Sequence, residues 1–178
     1  MTSDHDRQLL LRLAREAISA HVGIAPAQVQ GLAGVLAQLG GAFVTLHSDG
    51  DLRGCIGHIE RTLPLGKVVP QCAVAACSSD PRFPPVMAAE LEHIDIEISL
   101  LGPLESMSRP EDIEIGRHGL MIEHGWQRGL LLPQVATEWK WDAEEFASNT
   151  CAKAGLPKDA WRNGAKLFKF EAEVFSEK

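Results

Sequence analysis

An α+β protein, mostly antiparallel sheet flanked by helices, is expected from three observations. Helical and strand-like segments follow one another without a regular strand–helix–strand repeat. Asp49-Gly50 sits between two β-like runs, a dipeptide that favours a tight hairpin turn. "HIDIEISLLG" places Ile94, Ile96, Ile98 and Leu100 on one side and His93, Asp95, Glu97 and Ser99 on the other. That is the period of a half-buried strand. The chain has 178 residues, enough for one domain or for two small lobes sharing a core.

Ser3 is placed to cap a first helix, in which Leu10, Leu13, Ala14, Ala17 and Ile18 form one stripe and Gly23 marks the end. The stretch 25–41, interrupted by Gly31 and Gly34, is expected to be irregular or partly helical. "AFVTLH" and "LRGCIGHIE" pair across Asp49-Gly50. A helix is expected over 63–77, with Pro64 in its first turn and Pro70 straining or kinking it. "DPRFPPV" reads as a rigid loop, because its three prolines fix φ and donate no hydrogen bonds. "GRHGLMIEHGWQRGLLLPQ" reads as a second hairpin turning at Gly125. "DAEEFASNTCAKAGL" is an amphipathic helix capped by Asp142 and stopped at Gly155. "KLFKFEAEVF" closes the sheet, with Leu167, Lys169, Glu171 and Glu173 on one face and Phe168, Phe170, Ala172 and Val174 on the other. Trp139 and Trp141 are expected to pack against that strand.

The net charge of −7 argues against generic DNA binding but leaves room for a local basic pocket. No apolar run reaches the length that spans a membrane, and the first residues carry no signal-peptide pattern, so a cytoplasmic protein is expected. The four cysteines, Cys55, Cys72, Cys77 and Cys151, show no C-x-x-C spacing. They read as reduced thiols, with no metal site expected.

The stretch with the most chemistry is "LRGCIGHIE". Strand interiors usually exclude glycine, yet Gly54 and Gly57 flank Cys55 here. In a regular strand Arg53, Cys55 and Gly57 share a face, with Arg53 and Cys55 Cα atoms roughly 6.5–7 Å apart. An arginine at that distance favours a thiolate and a bound anion, and Gly57 leaves a vacancy beside the sulfur. The competing reading is a packed, inert cysteine. His58 falls on the opposite face and reads as a surface histidine, and His93 and Asp95 as the solvated side of their strand.

The strings "LRGCIGHI", "DPRFPP", "IDIEISLL", "RHGLMIEHGWQRGLLLPQVATEWKWDAEEF" and "TCAKAGLP" occur in this order. Together they resemble the AMMECR family, called in prokaryotes AmmeMemoRadiSam system protein A, over nearly the whole chain. The resemblance implies a single AMMECR-type domain over 1–178, built as two unequal lobes with a cleft between them. It implies association with Memo-like and radical S-adenosylmethionine partner proteins in a modification system, and names no reaction and no cofactor. The chain lacks the C-x-x-x-C-x-x-C pattern that would hold a radical cluster. Carried onto this sequence, the family strings mark Arg53, Gly54, Cys55, Gly57, Asp80, Arg82, Phe83, Glu97, His118, Gln134, Glu138 and Cys151.

Three readings follow. In the first, a component of that system binds a small anionic ligand or nucleotide: Arg53 and Arg82 hold the anion, with Gly54, Gly57, Asp80, Phe83, Gln134 and Glu138 around it. Cys55 is then a nucleophile or redox thiol, with His118 or Glu97 accepting its proton. In the second, a non-catalytic adaptor docks a partner through the LRGCIG surface and the pre-ordered DPRFPP loop. In the third, both motifs are structural: Asp80 pairs with Arg82, and Cys55 is packing.

Overall fold

The structure is a computed structural model that describes residues 2–26 and 31–178. It is α+β with antiparallel sheet, and its chain divides into two compact units, Met1–Leu101 with Glu173–Lys178, and Gly102–Ala172.

In the first and larger unit, α1 (Asp4–His21) starts at Ser3, whose hydroxyl accepts from the Asp6 N–H while the Asp6 carboxylate accepts from the Ser3 N–H. This reciprocal cap satisfies two otherwise orphaned donors. Of the expected irregular stretch, 27–30 lie outside the described residues, and Gly34–Ala37 forms a 3-10 turn. Strands β1 (Gly41–Ser48) and β2 (Asp51–His58) form the hairpin, and β3 (Ile94–Leu101) pairs antiparallel on the other side of β1. Asp49 and Gly50 both have positive φ, 52° and 90°, as the twist-matched two-residue turn requires.

Helix α2 spans Leu65–Ser78, with Pro64 as its N-cap rather than inside its first turn, and it accommodates Pro70 in its interior. Buried Leu10, Ile18, Val68, Ala73 and Ala76 from the helices meet Val44, Leu46, Ile96 and Ile98 from the sheet. The core therefore lies on one face of β2–β1–β3, and the polar residues of β1 and β3 are left on the other.

In the second unit, β5 (His118–His124) and β6 (Gln127–Leu131) form the second hairpin, with Gly125 at φ 63° in its turn. Strand β7 (Lys166–Ser176) pairs with β5 and with the short β4 (Glu105–Met107). Helices α3 (Pro133–Glu138) and α4 (Ala143–Lys153) follow β6, and Phe146, Ala147 and Cys151 of α4 are fully buried with Leu120 and Ile122.

Two expectations need correction. Val174 of β7 is 44% exposed, whereas Phe175 packs on the first unit's core. The strand begins in one unit and ends in the other, so no single face is apolar along its length. Trp139 does not pack on the closing strand: it is 67% exposed and stacks on Trp141 at 5.9 Å between ring centroids, and Trp141 in turn tilts against Phe146.

Candidate functional site

The hairpin register sets the site. Ser48 pairs with Asp51 and His47 with Leu52, but Leu46 pairs with Gly54. Arg53 is therefore the extra residue of a β-bulge, and everything after it is shifted by one position. Without the bulge Cys55 would face Val44 and point into the core. With it, Cys55 lies opposite Thr45 on the other face, since a one-residue slip reverses every side chain.

Thr45 is in turn paired with Glu97. Cys55, Thr45 and Glu97 thus form one row across three strands, and Gly57, Phe43 and Ser99 form the next.

The two glycines answer to different neighbours. A Cβ on Gly54 would lie 2.2 Å from the Ala76 carbonyl oxygen of α2, so the strand can approach the helix only without a side chain. A Cβ on Gly57 would lie 2.3 Å from the Phe43 ring. The expected vacancy beside Cys55 is therefore occupied by that ring.

The bulge also redirects Arg53. Its Nε and Nη2 donate to Glu90 at 3.0 and 3.2 Å, its Nη1 donates to the Pro84 carbonyl at 2.8 Å, and Nη2 reaches the Pro85 carbonyl at 3.4 Å. Arg53 holds the Glu90 carboxyl below its usual range, helped by the Met87 N–H that donates to it at 2.8 Å. The expected activation of Cys55 by Arg53 is corrected here, because this guanidinium is spent on the proline loop.

The rest of the loop closes on Cys55 as expected. Asp80 is 4% exposed. It accepts from the Cys55 N–H at 2.9 Å, from the Arg82 N–H at 3.1 Å, and from Arg82 Nε and Nη2 at 3.0 and 2.7 Å. The Arg82 guanidinium holds its carboxyl well below the ordinary carboxylate range; burial opposes this and the two backbone N–H groups add to it.

Arg82 Nη2 also reaches the Cys55 carbonyl at 3.5 Å, and its guanidinium lies 5.5 Å from the centroid of the Phe83 ring. The edge peptide of Cys55 is thus met on both its N–H and its C=O by one loop. Each arginine carries its own acid, so the two guanidiniums do not form a doubly positive notch.

Burial pushes the Cys55 thiol up from its ordinary value. The Thr45 hydroxyl, which donates to Sγ at 3.3 Å, and the Arg82 charge act the other way, while Asp80 and Glu97 add to the rise. Cys72 is pushed up to about 11, chiefly by burial, and Cys77 and Cys151 are raised for the same first reason. All four thiols are free. His58, expected at the surface, is half-buried, and its Nε2 has no partner among the described residues.

Arg53, Gly54, Cys55, Gly57, Asp80, Arg82, Phe83 and Glu97 all belong to the first unit, and His118, Gln134, Glu138 and Cys151 to the second. His118 Nδ1 accepts from the Glu114 N–H at 2.9 Å, which leaves its proton on Nε2 when the ring is neutral. Gln134 and Glu138 lie on α3, and Cys151 is fully buried on α4. Sequence reasoning missed Glu90 and Thr45. Glu90 sits in a 3-10 turn, Ala88–His93, with no motif of its own, and Thr45 is reached only through the bulged register.

A family model described as AMMECR1 matches residues 11–175. A protein of Methanothermobacter thermautotrophicus is 45% identical over 98% of this chain and 96% of its own length. Protein MJ0810 of Methanocaldococcus jannaschii is 43% identical over 94% of this chain and 88% of its own. The crystal structure of uncharacterized protein PH0010 from Pyrococcus horikoshii superimposes with a TM-score of 0.90 at 40% identity, covering 99% of this chain and 93% of that one.

Proposed function

Because the chain belongs to the AMMECR1 family, we propose that it is a cytoplasmic, non-catalytic docking module of a modification system whose other members are Memo-like and radical S-adenosylmethionine proteins. The observation that carries this reading is the pinned proline loop. Arg82, Pro84, Pro85 and Met87 are exposed, while the backbone beneath them is tied down by Arg53 at the Pro84 and Pro85 carbonyls and by Asp80 at the Arg82 N–H. A surface already ordered gives up little conformational entropy on docking. The thiol beside it, raised by burial, is protonated at neutral pH and poorly suited to attack.

The test is calorimetric titration of the Memo-like and radical S-adenosylmethionine proteins of the same source into the wild type, Arg82→Ala/Phe83→Ala and Cys55→Ser. Docking requires that the double variant loses binding and that Cys55→Ser keeps both the complex and the pathway product. A Cys55→Ser protein that assembles normally but yields no product would return the cysteine to a catalytic role.

A second reading, a small anionic ligand or nucleotide, is favoured by one feature. Arg82 Nη1 has no hydrogen-bond partner among the described residues, and the side chain is 52% exposed beside the Phe83 ring. Titration with phosphate and with a nucleoside monophosphate at two salt concentrations tests it: binding that weakens with salt and is lost in Arg82→Ala supports the ligand.

A further inference from the structure

We infer that the sheet face carrying Cys55, Thr45, Glu97 and Ser99 is a binding site for a primary ammonium group. This rests on the first unit's own geometry and not on the docking surface. Cys55, Thr45 and Glu97 stand opposite one another on neighbouring strands, and Ser99 follows Glu97 by two residues on the same face. Opposed side chains of this kind have Cβ atoms about 4.5–5.5 Å apart, and diagonal ones remain within reach of each other.

Of the four groups Thr45 and Glu97 only accept, while the Cys55 thiol and the Ser99 hydroxyl both accept and donate. The Thr45 O–H is committed to the Cys55 sulfur, so Oγ1 offers only lone pairs. A carboxylate at Glu97 accepts and does not donate, and it has no hydrogen-bond or ion-pair partner among the described residues. Ser99 is 1% exposed, and its Oγ also lacks a partner. A buried hydroxyl left unpaired is costly, and its lone pairs, with those of Thr45 and Glu97, can take hydrogens from a bound donor.

Charge selects among such molecules. Arg53 is matched by Glu90 and Arg82 by Asp80, which leaves Glu97 as the uncompensated charge of the row. An anion would be repelled there and a cation drawn in. An ammonium carries three donors around a compact charge and can serve acceptors set at scattered angles, whereas a planar guanidinium wants a forked pair. The Phe43 ring, which lies over Gly57 in the next row, supplies an apolar wall for the methylenes. The ammonium can belong to a free alkylamine or to a lysine side chain presented by a partner polypeptide.

Amide NMR titration of the full chain separates these. The probes are n-butylammonium, a short blocked peptide with one lysine, and inorganic phosphate. The amide signals of Thr45, Glu97 and Ser99 should shift with an amine and not with phosphate. Shifts with n-butylammonium and not with the peptide identify a free-amine site; shifts with the peptide, with or without n-butylammonium, identify a lysine of a partner. Glu97→Gln should weaken binding by about tenfold or more, and Glu92→Gln, an exposed change outside the row, should leave it unaltered.

Ser99→Ala separates binding from mere packing. It removes an unpaired buried hydroxyl, so it should raise the melting temperature while lowering amine affinity. The inference is overturned if neither amine moves these signals, if phosphate moves them instead, if Glu97→Gln binds as tightly as wild type, or if Ser99→Ala raises stability with affinity unchanged.

Discussion

Gly54 and Gly57 are two residues apart and fail differently when given a side chain. At Gly54 the obstacle is backbone, the Ala76 carbonyl of α2, and it cannot move without shifting the helix. At Gly57 the obstacle is side chain and not backbone, the Phe43 ring. Gly54→Ala should therefore destabilise by about 3 kcal/mol or more and Gly57→Ala by about 1–2 kcal/mol, as measured by urea unfolding. Equal losses would mean that the ring is as immovable as the helix. Cys55 makes a second prediction. Its thiol is raised, so the folded form holds its proton to higher pH than the unfolded chain does. Its contribution to stability is full below the ordinary thiol value and falls as pH rises through the folded value. Alkylation of Cys55 in the native protein should be slower than in the urea-unfolded protein at neutral pH and should accelerate only in alkaline solution. Rapid labelling near neutrality would contradict the burial argument.

The loop from Asp80 to Met87 and the end of α3 show how single groups hold an element. Asp80 accepts four hydrogen bonds, one from the Cys55 N–H of β2 and three from Arg82 within the loop. Its folded pKa lies below the unfolded value, so its contribution is present above about pH 4 and is lost as pH falls further. Wild-type stability should drop on acidification, and Asp80→Asn should be less stable at neutral pH by about 2 kcal/mol and less sensitive to acid. Urea titrations at neutral and acidic pH decide this; parallel pH profiles would remove Asp80 from the account. At the end of α3, the Trp141 N–H donates to the Ala136 carbonyl and the Lys140 N–H to that of Thr137, the doubled bond of a Schellman cap. Lys140 sits at φ 55°, a region that suits glycine and penalises a Cβ. Lys140→Gly should raise stability by about 1 kcal/mol, read as an increase in melting temperature.

The chain leaves its first unit at Leu101 and returns to it at Glu173. The returning residues are tied to the first helix and to β3. Glu173 accepts from the Thr2 N–H and hydroxyl and from Arg7, Glu177 pairs with Arg15 and exchanges bonds with the Ile96 backbone, and Lys178 meets Asp95. These contacts join residues far apart in sequence, so the loop-closure entropy between them must be overcome before they form. A chain ending at Ala172 should keep its helical content but lose at least ~2 kcal/mol of stability. Unchanged urea unfolding would show the tail to be dispensable.

Much of this was readable from local patterns. The Ser3 cap, the Asp49-Gly50 turn, the alternation from Ile94 to Ile98 and the Asp142 cap of α4 depend on neighbours within a few residues, and neighbouring residues write their physics into the chain. The proximity of the proline loop to Cys55 was also readable, because a strand, a helix and a short return constrain where the loop can go. What was not readable hangs on long-range geometry. The bulge at Arg53 turns that guanidinium toward Glu90 and sets Cys55 opposite Thr45. A two-residue turn predicts unbroken register, and although the strand glycines of "DLRGCIG" signal a bulge or a close approach, they do not say that Arg53 is the extra residue. The Phe43 ring in the space beside Gly57, the pairing of each arginine with its own acid, and the burial that raises the Cys55 thiol are likewise properties of packing. They arise where segments distant in sequence meet, and local periodicity carries no term for that meeting.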